Sequence, residues 1–373
     1  MLRHTIAIGR IMGIPIDVDL SWFLIFGLLI WILAVSYYPQ ALKGAPPAEL
    51  WLMGVATAIL FFCSILLHEL AHSAAALHYR IPVRRITLFI FGGVAQVAQD
   101  PASAGAEFVV TIVGPVASFA LAGIFFLLQA PLAGVAPALA VVKYLTLING
   151  MLGLFNLIPG FPLDGGRIFR AAVWGWIGDF RRATLIAANV GRFFGFFFIM
   201  TGVWMALRGA LFNGLWTAFI GWFLESAASS QVQQQLVQNL LVGHKVSEAL
   251  GNEGLRVAAH TSLKTIVDEE ILRHGRRCFL VQQDGQVLGL LTLHSIKAVP
   301  PSDWPSTTAE AAMIPMANLS TTAPEAELWT ALDKMGRDGI NQMPVLKGHE
   351  FVGLLSRDDV VHYLQLLQQL HAR

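Results

Sequence analysis

The chain has 373 residues, of which 55% are hydrophobic and only 13% charged, with a mean hydropathy of +0.61. An ordinary soluble domain carries about 25% charged residues, so an all-aqueous fold is excluded. The net charge of +1, with no block of like charge and no basic stripe interleaved with aromatics, gives no case for nucleic-acid binding.

The charges are unevenly placed. Residues 1–230 hold 13 Lys+Arg and 9 Asp+Glu, while residues 231–373 hold 12 and 15. The chain therefore reads as an apolar front and a conventional soluble back. Two cysteines, Cys63 and Cys278, cannot build a disulfide framework, which fits a soluble part that faces the cytosol.

In chain order, Met1–Asp19 has strand-like alternation rather than the basic end and apolar run of a cleavable signal peptide. About 20 apolar residues cross a hydrocarbon core about 30 Å thick. On that measure the front predicts about six transmembrane helices, near residues 20–38, 51–77, 105–129, 136–158, 188–207 and 211–228. Basic residues in short loops set the orientation. With a cytosolic N-terminus, Arg3, Arg10, Arg80, Arg84, Arg85, Arg167, Arg170, Arg181 and Arg182 fall on the cytosolic side, against Lys43 and Arg208 outside. A sixth span then returns the C-terminus to the cytosol.

The second span carries His68-Glu69-Leu70-Ala71-His72 near its cytosolic end. At about 100° per residue, the two histidines lie roughly 40° apart on one helix face, so both imidazoles can reach a single zinc ion. Glu69 is placed beside them to act as general base towards water. Ionisable residues are costly inside an apolar span, so this position points to function. Two residues compete for third ligand. His78 has the spacing of soluble metzincins, but a straight helix turns it away from His72 and Ala75 stands where the bending glycine would be. Asp164 is better placed, because Pro159 and Pro162 break the helix after the fourth span and Gly160, Gly165 and Gly166 permit tight approach.

Together with Gly114-Pro115-Val116-Ala117-Ser118 and the Asn156–Arg167 segment, these residues resemble the site-2 protease family of intramembrane zinc metalloproteases. The resemblance covers roughly residues 1–230. It implies that His68, His72 and Asp164 bind zinc, that Glu69 activates water, and that Asn156 contacts the scissile peptide or steadies its oxyanion. It also gives meaning to Ile86–Val97, which reads as a β-hairpin with Gly92-Gly93 at its turn and an edge that can hold an opened substrate segment by strand addition.

Residues 231–242 form a Gln-rich helical connector. Beyond it, Gly289-Leu290-Leu291-Thr292 matches Gly353-Leu354-Leu355-Ser356, and Gly275 matches Gly339. The two repeats, about 243–300 and 307–369, resemble a tandem pair of cystathionine-beta-synthase (CBS) domains. That family's pocket uses a hydroxyl followed three residues later by Asp. Ser356 and Asp359 keep the pattern; the first repeat has Thr292 but Ser295 in place of Asp, so one pocket for ATP or another adenine nucleotide is expected rather than two.

The expected molecule is a polytopic α-helical membrane protein with small β-hairpins and a C-terminal α/β tandem CBS module. It is a zinc endopeptidase of the cell (plasma) membrane that cleaves a membrane-spanning substrate near the cytosolic face. Nucleotide binding or homodimerisation through the CBS domains regulates it. The alternatives are a CBS-gated transporter and an inactive metal-binding scaffold.

Overall fold

The computed structural model describes residues 5–90, 92–97, 101–251, 254–348 and 350–371; Arg3 and Phe91 lie outside them. The chain forms two compact units, Met1–Gln235 and Leu236–Arg373.

The first unit opens with a hairpin of β1 (Thr5–Ile11) and β2 (Ile14–Asp19). Its turn residues Met12 and Gly13 both have positive φ, at 54° and 79°, as a two-residue hairpin turn with matching twist requires. β2 buries Ile14, Ile16 and Val18. Asp19 then caps helix α1 (Leu20–Ala41), accepting from the Ser21 N–H at 2.9 Å. Helix α2 (Pro47–His78) has 32 residues, about 48 Å, more than enough to cross a bilayer.

The chain next adds β3 (Val83–Phe89) and β4 (Gly92–Val97) to a sheet of order β1-β2-β3-β4, in which only the β2–β3 pairing is parallel. The hairpin expected over Ile86–Val97 is present, but its turn is not at Gly92-Gly93. Both glycines already belong to β4, paired with Phe89 and Leu88. Gly93 is needed there for close approach to Glu69, and Gly92 for its positive φ of 127°.

Four more helices follow: α3 (Ala104–Leu127), α4 (Ala136–Asn156), α5 (Asp164–Ile177) and α6 (Phe180–Leu207). A further helix, α7 (Leu211–Leu241), runs on into the second unit. Among the described residues, five helices are long and apolar enough to cross a membrane: α1, α2, α3, α4 and α6. The sixth expected span lies within α7, whose apolar stretch is interrupted by Asn213 and Glu225 and falls outside that set. The expected connector at 231–242 is no separate element, because α7 continues through it to Leu241. α5 was not foreseen; it is only 14 residues long and carries Asp164, Arg167 and Arg170.

α6 and α7 pack through glycine. A methyl group at Gly195, Gly202, Gly214 or Gly221 would collide with the backbone of the opposite helix, so the two main chains pass in close contact.

In the second unit β5 (Arg256–Ala258), β6 (Cys278–Gln283), β7 (Gln286–Thr292) and β8 (Ile314–Pro315) form one sheet, with helix α8 (Leu293–Lys297) after β7. Helix α9 (Leu328–Asp338), β9 (Gln342–Lys347), β10 (Glu350–Ser356) and helix α10 (Arg357–His371) form the second repeat. Each repeat buries its own core, one around Phe279 and Leu291 and one around Met335 and Leu355. Leu280, Leu290 and Leu354 join the two. Both cysteines are free thiols, and burial pushes the Cys278 thiol up to about 12.

Candidate metal centre and catalytic cavity

His68 and His72 lie one turn apart on α2, both buried at 4% and 8% exposure. Asp164, the first residue of α5, brings its Oδ2 to 3.1 Å from each Nε2, and the two Nε2 atoms are 3.2 Å apart. Donors held about 2.0–2.1 Å from a tetrahedral zinc stand roughly 3.3 Å from one another. Three donors with these separations, two buried imidazoles and a half-buried carboxylate, therefore fit zinc. His78 is the exposed last residue of α2, its ring against Tyr79, and takes no part.

The far sides of the imidazoles are held by α3. His72 Nδ1–H donates to the Val110 carbonyl at 2.8 Å, and His68 Nδ1 stands 2.9 Å from Ser118 Oγ. A proton kept on Nδ1 leaves the Nε2 lone pair free for a metal. Gly114, on the same helix, has a separate part. A methyl group there would collide with His72 Nε2 and come within 2.9 Å of His68 Nε2, so glycine keeps the space beside the donors open.

The loop after Asn156 delivers Asp164. Methyl groups at Gly165 and Gly166 would collide with the Leu157–Ile158 and Gly160–Phe161 backbone, so the first turn of α5 lies directly on that loop. One turn further along α5, at Arg170, an ion pair fixes the helix. Fully buried Glu107 on α3 accepts from Arg170 Nε at 2.9 Å and from its Nη2. The same guanidinium stacks over Phe161 at 5.1 Å and Phe180 at 4.6 Å, and reaches Thr184 on α6. Removing one partner of such a pair strands a buried charge, which costs about 3–5 kcal/mol.

A cavity of about 390 Å³ opens beside the three donors, lined also by Glu69, Asn156 and Arg167. Gly92, Gly93, Val94 and Ala95 of β4 form one wall. A methyl group at Gly93 would stand 2.5 Å from Glu69 Cγ, so the strand backbone lies against that carboxylate side chain. Among the described residues β4 pairs with β3 alone, leaving an edge at the cavity.

In the second unit, the expected nucleotide residues sit at helix starts. Thr292 caps α8, with reciprocal contacts to Ser295. Ser356 and Asp359 make the equivalent arrangement at the start of α10, with Ser356 Oγ 2.5 Å from Asp359 Oδ2.

The sequence alone assigns no role to Ser118, Gly114, Val110 or Glu107. Glu107 had a visible signal, being a lone acid in an otherwise apolar span.

Residues 56–136 and 129–201 match the model of peptidase family M50, and residues 309–366 match that of the CBS domain. The chain is 32% identical over 370 residues to "Putative zinc metalloprotease Rip3" of Mycobacterium tuberculosis, covering 98% of this chain and 94% of that protein. It is 33% identical over 375 residues to "Putative zinc metalloprotease sll0528" of Synechocystis, covering 98% and 96%. Among solved structures it is similar to the site-2 protease of Methanocaldococcus jannaschii, at 29% identity and a TM-score of 0.41, over 61% of this chain and 95% of that one. The chain belongs to peptidase family M50: it is an integral-membrane zinc metalloendopeptidase of the site-2 protease type with a C-terminal CBS module.

Proposed function

We propose that this endopeptidase cleaves a membrane-spanning protein close to the cytosolic face, with His68, His72 and Asp164 as the zinc ligands. The observation that carries the reading is the triangle of three donor atoms with edges of 3.1–3.2 Å. Zinc held there would polarise the scissile carbonyl and lower the pKa of water towards about 7. Glu69, in the same cavity, takes the proton from the attacking water and passes it to the leaving nitrogen. Asn156 donates to the peptide group being cut. The free edge of β4 receives the opened substrate segment as an added strand, which keeps its backbone groups paired at membrane depth.

The arginine bias supports cytosolic N- and C-termini in the cell membrane, with α7 as the returning span. His72 lies six residues and His68 ten residues before the end of α2, about 9 and 15 Å in. That depth lets cytosolic water reach the site. The CBS module binds an adenine nucleotide at Ser356 and Asp359, or pairs two chains, and so regulates cleavage.

The test is zinc stoichiometry measured together with cleavage of candidate single-span proteins, with and without ATP. Glu69→Gln is expected to keep one zinc per chain and lose cleavage, by about 10²-fold or more. Asp164→Ala is expected to lose zinc. Full activity in Glu69→Gln would remove Glu69 from the mechanism, and unchanged zinc in Asp164→Ala would reject the ligand set.

A further inference from the structure

Arg167 and Arg170, one turn apart on α5, face one buried carboxylate and share it unequally. Arg170 takes Glu107 Oε1 with two nitrogens and is enclosed by Phe161 and Phe180. Arg167 Nε is 3.9 Å from that same oxygen, beyond hydrogen-bond reach, and among the described residues its guanidinium has no hydrogen-bond partner. It does not turn to Glu107 Oε2 either, which is itself unpartnered. The Arg167 side chain is 28% exposed and lines the cavity with Glu69, Asn156 and Asp164. Glu107 and Arg170 cancel in charge, so a fixed cation with free donors is left facing the space where the peptide is cut.

A half-buried guanidinium without partners is expensive unless a ligand completes it. The group to be completed is set by the reaction. Water oxygen bonds to the carbonyl carbon, the carbonyl π pair moves onto its oxygen, and the water proton passes to Glu69. When the C–N bond breaks, the pair returns to remake the carbonyl and Glu69 protonates the leaving nitrogen. Negative charge thus builds on one oxygen and then subsides. A cationic donor binds that oxygen more strongly at its most charged, which a neutral amide such as Asn156 does less well.

We propose that Arg167 is a catalytic residue, donating to the scissile carbonyl oxygen as charge develops on it. The inference rests on the proposed cleavage site. Its test uses purified full-length protein, reading zinc content, melting temperature, kcat and KM on a single-span protein that the wild type cleaves, and binding of a hydrophobic peptide phosphinate. A phosphinate mimics the tetrahedral, charged carbon centre and reports on Arg167 without turnover. Arg167→Gln is expected to keep zinc and melting temperature, to lose about 10²–10³-fold in kcat with KM little changed, and to weaken phosphinate binding. Arg167→Lys is expected to recover part of both, since it restores the charge but not the planar fork. Wild-type kcat and phosphinate affinity in Arg167→Gln would overturn the proposal, as would a raised KM with unchanged kcat. Loss of zinc or a lowered melt would give Arg167 a structural role instead. Glu69→Gln is the control: if it cleaves normally, the site reading fails first, and that failure is separate from any result with Arg167.

Discussion

Ser118 sits on a different helix from His68 and is separated from it by 50 residues, yet its Oγ stands 2.9 Å from His68 Nδ1. Partners of this kind orient a ligand and raise its basicity, and losing one typically lowers metal affinity about 10–100-fold. Ser118→Ala is therefore expected to weaken zinc binding in that range, measured by competition with a chromophoric chelator, while the protein stays folded. Gly114→Ala should be harsher, because its methyl group would occupy the space beside both Nε2 atoms. Zinc stoichiometry well below one with unchanged helix content is the expected result; a full complement of zinc would show that α3 can move aside. The histidine pair was legible from its spacing on one helix. The roles of Ser118 and Gly114 were not, since no spacing along the chain reports what faces it from a neighbouring helix.

Among the elements, hydropathy located α1, α2, α3, α4 and α6 because burying an apolar span in lipid needs only length and composition. α5 escaped because its 14 residues are amphipathic and interrupted by two arginines, and its stability comes from Glu107 and the aromatic rings around Arg170. The Gly92-Gly93 pair misled for a related reason: local turn chemistry predicted a hairpin tip, whereas contact with Glu69 from another element explains Gly93. The junction between α7 and the second repeat is held by polar contacts of its own. Glu248 accepts from the Tyr363 hydroxyl at 2.8 Å and from the Lys245 N–H at 3.1 Å, with His244 Nδ1 at 2.7 Å. The hydrogen bonds from His244 and Tyr363 bring the Glu248 carboxyl from 4.5 down to about 2. A carboxyl lowered on folding contributes stability above its unfolded value and loses it as the pH falls through the folded value. The contribution should therefore fade between about pH 4.5 and about pH 2. Because the group is exposed, the effect is small. Melting of the full-length protein across that window should fall more steeply for the wild type than for Glu248→Gln; parallel curves would show that the cluster adds nothing to stability.

At the scale of the whole molecule, the repeat read from Gly289–Thr292 and Gly353–Ser356 proved to be a repeat of elements: β6 and β9, and β7 and β10, have matching lengths and positions. What repetition could not reveal is the local work done by the residues assigned to nucleotide. Ser356 and Asp359 cap α10 reciprocally, and Gly251 lies so close to Asp359 Oδ1 that a methyl group there would collide with it. A nucleotide using Asp359 must therefore share a carboxylate that already holds a helix start. Removing the cap alone should cost about 0.5–2 kcal/mol, so the nucleotide question has to be read as a ligand-induced shift within each variant. ATP at about 100 times its Kd would add about 2.7 kcal/mol. The wild type is expected to gain that increment with one nucleotide per chain, because Ser295 leaves the first repeat without the carboxylate. Asp359→Ala should start from a lower melt and gain nothing. A wild-type melt unmoved by saturating ATP would reject nucleotide binding and leave the module to act by pairing two chains.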